Sequence, residues 1–476
     1  MKTHPPLPIA VVGGGPAGMT AALLLAQAGH PVQLIEAAPQ LGGLWASDLD
    51  PDGTFRGDNS CKVFQSTYTT TPDLFRRIGT DWTRHFVQRH DLTTDWLRPF
   101  LADCTWRDLR ILAGAWARHQ LGLGQLHTIS VRAFMEERGL SAPCQAWMRA
   151  TALGGIAGTL RMTMWELFHR TGSNLGAILG GARGPLYWNA QPPNGPGGFV
   201  TLWAQTLREA GVTIRTGSPV DAITLDGDPR LAIGDARIDA SAVFLAIPPP
   251  ALARLLADSD PALTRALGFT PAALQEHLRV SRYEHVGISW FFDRPLPTPL
   301  PLGGHSVRQG WHPILVEHPQ YGPALRAPAR TVVTGSVAVD TDFLHHRLGT
   351  RADAHTAEEL AAILWEDEQR ADPSLPSPIR TEVIGTSSAT QIVGRGPLDV
   401  RIGATDVFVA TNLHGRAPYF TASLEAAVQA GAIAAEAFDP RIDQLAMERP
   451  VALPWSRPTS TAASFPTPQP TCATSP

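Results

Sequence analysis

The chain is poor in cysteine and contains no long hydrophobic run, and each absence excludes a class of protein. Its four cysteines, Cys61, Cys104, Cys144 and Cys472, form no Cys-x-x-Cys pair. The sequence therefore predicts neither a zinc framework nor a disulfide scaffold, and it fits a reducing compartment. No apolar stretch reaches the roughly 18 residues of a membrane-spanning helix. The N-terminal residues have no signal-peptide pattern, so we expect a cytoplasmic protein.

Lysine and net charge are also scarce. Lys2 and Lys62 are the only lysines among 39 basic residues, and the formal net charge is −4, so nucleic acid is not an expected partner. Hydrophobic residues make up 43% of the 476 residues, which excludes a disordered chain. At about 150 residues per domain, this length gives room for two or three domains. No metal-ligand spacing is present, and we expect no metal site.

A glycine-rich turn near the start of the chain is the strongest motif. Residues 8–12 form a short apolar run, which predicts a buried strand. Residues 13–18 satisfy Gly-x-Gly-x-x-Gly and lead into an apolar pattern with helical spacing. A second apolar strand ends at Glu36. A strand, a glycine turn, a helix and a second strand with a terminal acid together predict a dinucleotide-binding unit.

Each part of this unit has a physical task. The first glycine allows the tight turn, the second lets the backbone approach a pyrophosphate, and the third lets the helix pack against the sheet. The helix N-terminus attracts phosphate, and the acid accepts hydrogen bonds from the ribose, which disfavours NADP. The candidate cofactor-binding residues are Gly13, Gly15, Pro16, Ala17, Gly18 and Glu36.

The residues after Glu36 distinguish FAD from NAD. The chain continues with Gly42-Gly43-Leu44-Trp45. This pattern resembles the two-dinucleotide-binding flavoproteins, in which a Gly-Gly pair after the acid lies against the FAD pyrophosphate. The resemblance implies that FAD is the cofactor and that Gly42, Gly43 and Leu44 bind it.

A second α/β passage begins at residues 196–198 with Pro-Gly-Gly. An amphipathic helix follows, then strands at 212–215, 220–225 and 237–239, and a buried strand at 241–247 that prolines end. This passage resembles the middle of flavin amine oxidases and phytoene-desaturase-like proteins. On that resemblance, Val220 contacts the adenine end of FAD through its backbone.

The last motif lies near the C-terminus. A strand at 406–410 precedes Asn412, and Ser423 is a plausible N-cap for the helix that follows. This arrangement resembles the last motif of the flavin amine oxidase superfamily, in which an acid binds the ribityl chain and the helix N-terminus faces the flavin. The resemblance assigns the ribityl contact to Asn412, which replaces the usual acid, and the flavin O2 contact to the Leu424 N–H.

The fold class expected is α/β, with a Rossmann-like FAD-binding domain assembled from discontinuous segments and a substrate domain made of helices and a mixed sheet. The FAD-binding parts are residues 1–72, 195–277 and 395–446. The substrate parts are the helical 73–194 and the mixed sheet of 278–394. The Pro/Ser/Thr-rich tail, 447–476, is expected to be disordered.

The resemblance implies an FAD-dependent oxidoreductase. It would take a hydride from a C–N or C–C bond of a small organic substrate, apolar or aromatic, to flavin N5, and amine oxidation and desaturation both remain open. The catalytic residues are not identified; Lys62 and Tyr419 are candidates to face the flavin or the substrate.

Two features point away from a standard amine oxidase. Such enzymes usually carry a lysine on a strand late in the substrate domain, where it holds a water near flavin N5, but no lysine follows Lys62. Lys62 itself either faces the flavin or is a solvated surface residue. Leu44 stands where amine oxidases generally have arginine.

Two alternatives remain open. Gly-Gly-Leu-Trp resembles flavin-containing monooxygenases, which use NADPH, yet the chain has no second Gly-x-Gly-x-x-Gly after another strand. The other alternative is a non-catalytic binder of the GDI type, which has this architecture and no longer uses a flavin. The intact glycine motif and Glu36 favour a bound cofactor over this binder.

Overall fold

The structure is a computed structural model. It describes residues 6–59, 62–65, 67–91, 93–123, 126–155, 160–169, 185–189, 198–280, 282–339, 343–390, 398–419 and 423–447. The predicted disordered tail lies outside these residues apart from Met447.

The strands of the described residues are numbered in chain order. They are β1 (Ile9–Val12), β2 (Val32–Ile35), β3 (Ser47–Leu49), β4 (Phe55–Asp58), β5 (Val63–Gln65), β6 (Phe86–Asp91), β7 (Pro185–Asn189), β8 (Thr213–Arg215), β9 (Ala222–Asp226), β10 (Asp228–Ile233), β11 (Ala236–Asp239), β12 (Ala242–Leu245), β13 (Arg282–Phe292), β14 (Ile314–Glu317), β15 (Thr331–Ala338), β16 (Arg380–Thr390) and β17 (Val407–Val409).

The α-helices of the same residues follow the same order. They are α1 (Pro16–Gln27), α2 (Thr70–Arg77), α3 (Arg98–Asp103), α4 (Trp106–Gln120), α5 (Val131–Arg138), α6 (Ala142–Ala150), α7 (Gly198–Glu209), α8 (Pro249–Asp258), α9 (Pro261–Ala266), α10 (Pro271–Val280), α11 (Ala357–Ala371) and α12 (Leu424–Phe438). Residues 164–169 are also helical. No helix among them has the length and hydropathy needed to cross a bilayer.

A parallel sheet in the order β17-β12-β1-β2-β8 forms the centre of the fold. The inner strands β1 and β12 and the edge strand β17 are buried along their whole length, as expected where helices cover both faces of a parallel sheet. The strands come from three separate stretches of the chain, which confirms the predicted α/β class with a discontinuous Rossmann-like sheet. The domain boundaries remain predictions.

Two glycines allow the covering helices to approach closely. A Cβ atom on Gly18 of α1 would lie 1.9 Å from the carbonyl oxygen of Gly13, and one on Gly431 of α12 would lie 2.1 Å from that of Ala17. Real Cβ contacts are never this short, so any side chain would push α1 away from the sheet or α12 away from α1. The close packing holds the N-termini of α1 and α12 near the same sheet edge.

The second large sheet has the order β14-β15-β13-β16. All of its pairings are antiparallel, so the expectation of a mixed sheet was wrong. Alternating apolar residues predict that a strand exists, but they do not give its direction, because side chains alternate in the same way in both kinds of sheet. Strand β16 was not predicted either, because its Gly, Ser and Thr residues weaken the apolar signal.

The predicted helical insertion, residues 73–194, contains α3 to α6 and most of α2, and side chains fix several of its helix starts. Thr105 and Asp108 form a reciprocal capping box at α4, and Ser130 and Ser141 cap α5 and α6. The insertion also contributes β6, which pairs with β7 almost a hundred residues later. This three-stranded sheet, β5-β7-β6, was not predicted, because the insertion was expected to be mostly helical.

Candidate functional site

A cavity of about 780 Å³ joins the carboxyl ends of the parallel strands to the antiparallel sheet. Val12, Ile35 and Thr411, at or just after the ends of β1, β2 and β17, line it on the first side. His285 of β13 and Ser336 of β15 line it on the second. Ligands of open α/β sheets bind at this edge, and the volume lies within the usual range for small-molecule sites. We therefore consider this cavity the candidate functional site.

Most of the sequence-predicted residues line this cavity. They are Gly13, Gly15, Pro16, Ala17, Glu36, Gly43, Leu44, Val220, Asn412 and Leu424. Gly18 and Gly42 lie behind this lining, where Gly18 serves the packing of α1 and the Gly42 N–H donates to the Gly14 carbonyl at 2.8 Å. Lys62 and Tyr419 are not among the lining residues. The structure thus brings together three sequence motifs that lie hundreds of residues apart.

The two glycine loops pack directly against each other at the wall of the cavity. A Cβ atom on Gly15 would meet only the Cα of Gly43, at 3.9 Å, and one on Gly43 would lie 3.1 Å from the Cα of Gly15. Gly15 is also the N-cap of α1 and contributes no side-chain cap. This part of the cavity wall therefore combines backbone that lacks side chains with the positive end of a helix, a combination that suits phosphate groups.

Glu36 has a second task that the sequence did not reveal. Its Oε2 accepts a hydrogen bond from the Gly14 N–H at 2.5 Å, and its Oε1 accepts one from the Ala38 N–H at 2.7 Å. The carboxylate thus holds the glycine loop in place. Each carboxylate oxygen accepts more than one hydrogen bond, so the group keeps capacity for ribose hydroxyls.

The motif near the C-terminus lies at another part of the lining. Leu424 is the first residue of α12, and the Ser423 hydroxyl caps this helix by accepting from the Ala426 N–H at 3.1 Å. Asn412 is buried in a short 3₁₀ turn directly after β17. A helix N-terminus and an amide side chain therefore border the cavity where the resemblance places the flavin and its ribityl chain.

Lys62 is buried, so the interpretation as a solvated surface lysine was wrong. Its side chain has no exposed surface, and Nζ donates to the carbonyl oxygens of Leu44 and Ala46 at 2.8 and 3.0 Å. Nζ also lies 3.5 Å from Asp58 Oδ1. The ammonium therefore supports the Gly42–Ala46 turn from behind rather than facing the cavity.

Tyr419 also contacts the site through another residue. Its hydroxyl donates to Gln65 Oε1 at 2.7 Å, and Gln65 lines the cavity. Its ring packs edge-on against Tyr68, with the ring centroids 5.1 Å apart. Tyr419 thus orients two lining side chains.

Sequence reasoning missed the lining residues of the antiparallel sheet. Tyr283, His285, Ser336, Ser387 and Ser388 reach the cavity from β13, β15 and β16. No local motif marks them, because they meet only through the pairing of distant strands. One signal was available in the sequence: residues 283–288 place a histidine at the start of a largely apolar strand.

His285 is the titratable side chain of this group with the most unusual surroundings. It is 2% exposed, and burial lowers its pKa to about 4, with the positive charge of Lys62 acting in the same direction. The imidazole is therefore neutral near pH 7. Across the described residues, no three His, Cys, Asp or Glu side chains are arranged to hold a metal ion.

Comparison with known proteins agrees with the N-terminal motif. Residues 11–78 match the family described as NAD(P)-binding Rossmann-like domain. A 15-cis-phytoene desaturase of an Oncidium hybrid cultivar is 36% identical over 89 residues, which are 18% of this chain and 15% of the desaturase. A zeta-carotene desaturase of Zea mays is 35% identical over 77 residues, 16% of this chain and 13% of that protein. The matched segment spans about a seventh of the length of these curated relatives.

Solved structures resemble the chain over most of its length. Cyclohexylamine oxidase from Brevibacterium oxydans has a TM-score of 0.61 and 15% identity, and the match covers 91% of this chain and 98% of the oxidase. Putrescine oxidase has a TM-score of 0.61 and 15% identity, and the match covers 92% of this chain and 100% of that oxidase. A putative protoporphyrinogen oxidase from Exiguobacterium has a TM-score of 0.56 and 16% identity, and the match covers 92% of this chain and 99% of that protein. At these identities the likeness is one of fold.

Proposed function

We propose that this chain, a member by fold of the flavin amine oxidase, protoporphyrinogen oxidase and phytoene desaturase superfamily, is an FAD-dependent oxidoreductase. It takes a hydride from a C–N or C–C bond of a small organic substrate. The observation that carries this proposal is the single cavity that joins the glycine loops to the antiparallel sheet. Such a cavity allows a dinucleotide and a substrate to meet inside the protein.

The residues of the cavity fit FAD. A pyrophosphate would lie against the backbone of Gly15 and Gly43, which line the cavity without side chains. Glu36 would bind the adenosine ribose, and Val220 would contact the adenine. Asn412 and the N-terminus of α12 would contact the ribityl chain and the flavin ring. These assignments follow the lining of the cavity and the order of the motifs along the chain.

Bound FAD would supply the two-electron acceptor, while the protein would bind and orient the substrate and exclude water from the site. The N-terminus of α12, capped by Ser423, stabilises negative charge beside it. Leu302 and Ile314 provide apolar lining, while Gln65 and Ser387 provide neutral polar lining. This mixture suits an organic substrate with an apolar body and few polar groups.

Lys62 does not indicate which molecule accepts electrons from the reduced flavin. Its Nζ is engaged by two carbonyl oxygens and Asp58, and it is not part of the cavity lining. A water held by this ammonium at the reacting centre is therefore not part of the proposal. Amine oxidation and desaturation both remain compatible with the fold.

The test begins with the purified protein. We expect a yellow protein with flavin absorbance, and chromatography of the cofactor released by denaturation should identify FAD rather than FMN or NAD. Anaerobic mixing with cyclohexylamine, putrescine and phytoene should then bleach the flavin with at least one substrate class. A colourless protein that does not bind added FAD would contradict the proposal and favour the GDI-type binder, while NADPH-dependent bleaching would favour the monooxygenase.

A further inference from the structure

The helices α3 and α4 expose a concentration of large apolar side chains. Four of the nine exposed large hydrophobic residues in the described part of the chain lie between positions 101 and 123. They are Leu101, Trp106, Leu121 and Leu123. Trp106, in the first turn of α4, is 79% exposed, more than any other of the nine. Single exposed hydrophobic residues are common, whereas a group of them on one surface marks an interaction site.

Helical spacing places part of this group in a row along α4. At about 100° per residue, positions 106, 113, 117 and 121 fall within roughly 80° around the helix axis. All four positions are exposed, and they are occupied by Trp106, Ala113, Ala117 and Leu121. The opposite face is anchored in the protein, where Ala115 is buried in a hydrophobic cluster of the insertion. The helix therefore presents an apolar row to the outside along its whole length.

The same surface is positively charged. Arg98, Arg110 and Arg118 are exposed, and among the described residues none of the three forms an ion pair or a side-chain hydrogen bond. The two acids of α3 and α4 do not offset this charge. Asp108 is buried, and Asp103 forms an ion pair with an arginine of a distant loop. The exposed surface of the two helices thus carries arginines and no exposed carboxylate.

This charge decides between the possible occupants of the surface. A symmetric dimer formed through this face would place the arginines of one copy against those of the other, and like charges across an interface cost free energy. An anionic lipid bilayer instead offers phosphate groups to the arginines and an apolar boundary to the row along α4. Tryptophan suits that boundary in particular, because one end of its ring is apolar and the other is polar.

We propose that the α3–α4 surface binds the face of an anionic lipid bilayer. Trp106 and Leu121 would insert at the level of the headgroups, and Arg110 and Arg118 would contact lipid phosphates while their stems cover apolar surface. The axis of α4 would lie parallel to the membrane, because the apolar row runs from one end of the helix to the other. This inference does not rest on the proposed function, since the surface is separate from the cavity lining.

Cosedimentation of the purified full-length protein with lipid vesicles tests the proposal. One set of vesicles contains phosphatidylcholine alone, and the other contains equal parts of phosphatidylcholine and phosphatidylglycerol. We expect binding to the anionic vesicles to be at least about tenfold tighter, because each arginine near an anionic surface contributes about fivefold. Added salt should weaken this binding, since it screens the charges.

Matched substitutions separate the surface from general stickiness. Trp106→Ser should weaken binding to the anionic vesicles by about tenfold, because it removes the largest apolar side chain of the row. The double variant Arg110→Gln/Arg118→Gln should weaken it by about thirtyfold. Ile379→Ser and Arg208→Gln are the controls, because both residues are exposed elsewhere, and they should bind like the wild type. Thermal unfolding of each variant verifies that the fold is retained.

The proposal is wrong if the wild-type protein does not bind anionic vesicles or binds both kinds of vesicle equally well. It is also wrong if folded Trp106→Ser binds like the wild type. A lipid-free dimer that Trp106→Ser dissociates would assign the surface to a second copy of the chain and overturn the proposal. Vesicle binding is measured whether or not the protein binds FAD, so its failure and the failure of the proposed function are distinguishable.

Discussion

The Lys62 ammonium lies 3.5 Å from Asp58 Oδ1, and neither side chain has any exposed surface. Asp58 Oδ1 also accepts from the Ser47 hydroxyl at 2.7 Å, and Lys62 donates to two carbonyl oxygens of the Gly42–Ala46 turn. The pair thus ties β4 to the turn that carries Gly43. Removing one partner of a buried ion pair is strongly destabilising, because it leaves an uncompensated charge in the interior.

We expect Lys62→Met to destabilise the protein by about 3–5 kcal/mol, because it leaves the buried Asp58 carboxylate without its partner. Urea unfolding measures this change. Adding Asp58→Asn should restore part of the loss, because the neutral amide carries no unpaired charge. If Lys62→Met instead leaves stability unchanged and slows reoxidation of the reduced flavin by about a hundredfold, Lys62 acts on the flavin and our placement of it is wrong.

Glu425 predicts a second stability effect. Its carboxylate accepts hydrogen bonds from the N–H groups of Thr69, Thr70 and Thr71 at 2.8 to 3.0 Å, so it caps α2 from another helix. Glu425→Gln removes the charge from this cap and should lower the free energy of unfolding by about 2 kcal/mol. Glu137→Gln, on the exposed face of α5, serves as the control and should change stability by less than about 0.5 kcal/mol. Equal effects of the two substitutions would contradict the capping role.

Three buried histidines predict how stability depends on pH. Burial lowers the pKa of His285, His312 and His414 to about 4, whereas an unfolded chain binds the proton near pH 6.5. The unfolded state therefore takes up more protons, and the free energy of unfolding should fall as the pH decreases from about 6.5 to about 4. Each histidine contributes up to about 1.4 kcal/mol per pH unit.

Urea titrations at several pH values measure this dependence. His312→Asn should make the slope shallower by about one proton, because that variant has one buried imidazole fewer. A free energy of unfolding that stays constant between pH 7 and pH 5 would show that the three rings are not kept neutral by burial.

The dinucleotide-binding half of the site could be predicted from the sequence because its signals are local. Gly13, Gly15 and Gly18 lie within six residues. Gly13 has a positive φ of 107°, and a Cβ on Gly18 would collide with the Gly13 carbonyl oxygen. Asn412 follows a buried strand. Leu424 begins a helix that Ser423 caps. Such patterns can be recognised in the sequence without knowledge of distant contacts.

The substrate side of the site could not be predicted in the same way. His285 reaches the cavity because β13 pairs with β15 and β16, and that register depends on contacts spread over a hundred residues. Burial of Lys62 depends on the carbonyl oxygens of the Gly42–Ala46 turn. Sequence spacing carries no information about either contact.

The affinity of the apoprotein for FAD in a Gly15→Val variant tests the central claim most directly. Gly15 has ordinary extended dihedral angles, φ −75° and ψ 176°, and a Cβ there meets no atom closer than 3.9 Å, so valine should leave the fold intact. Its side chain would occupy the part of the cavity next to Gly15 that is assigned to the pyrophosphate. The matched control is Gly114→Val in α4, where a Cβ meets nothing within 4 Å.

Calorimetric titration of FAD into each apoprotein, with circular dichroism to verify folding, gives the comparison. We predict that Gly15→Val weakens FAD binding by roughly a hundredfold or more, as expected when added methyl groups collide with a bound group, and that Gly114→Val binds FAD like the wild type. If folded Gly15→Val binds FAD with wild-type affinity, the pyrophosphate does not lie against Gly15, and the account of this site is contradicted.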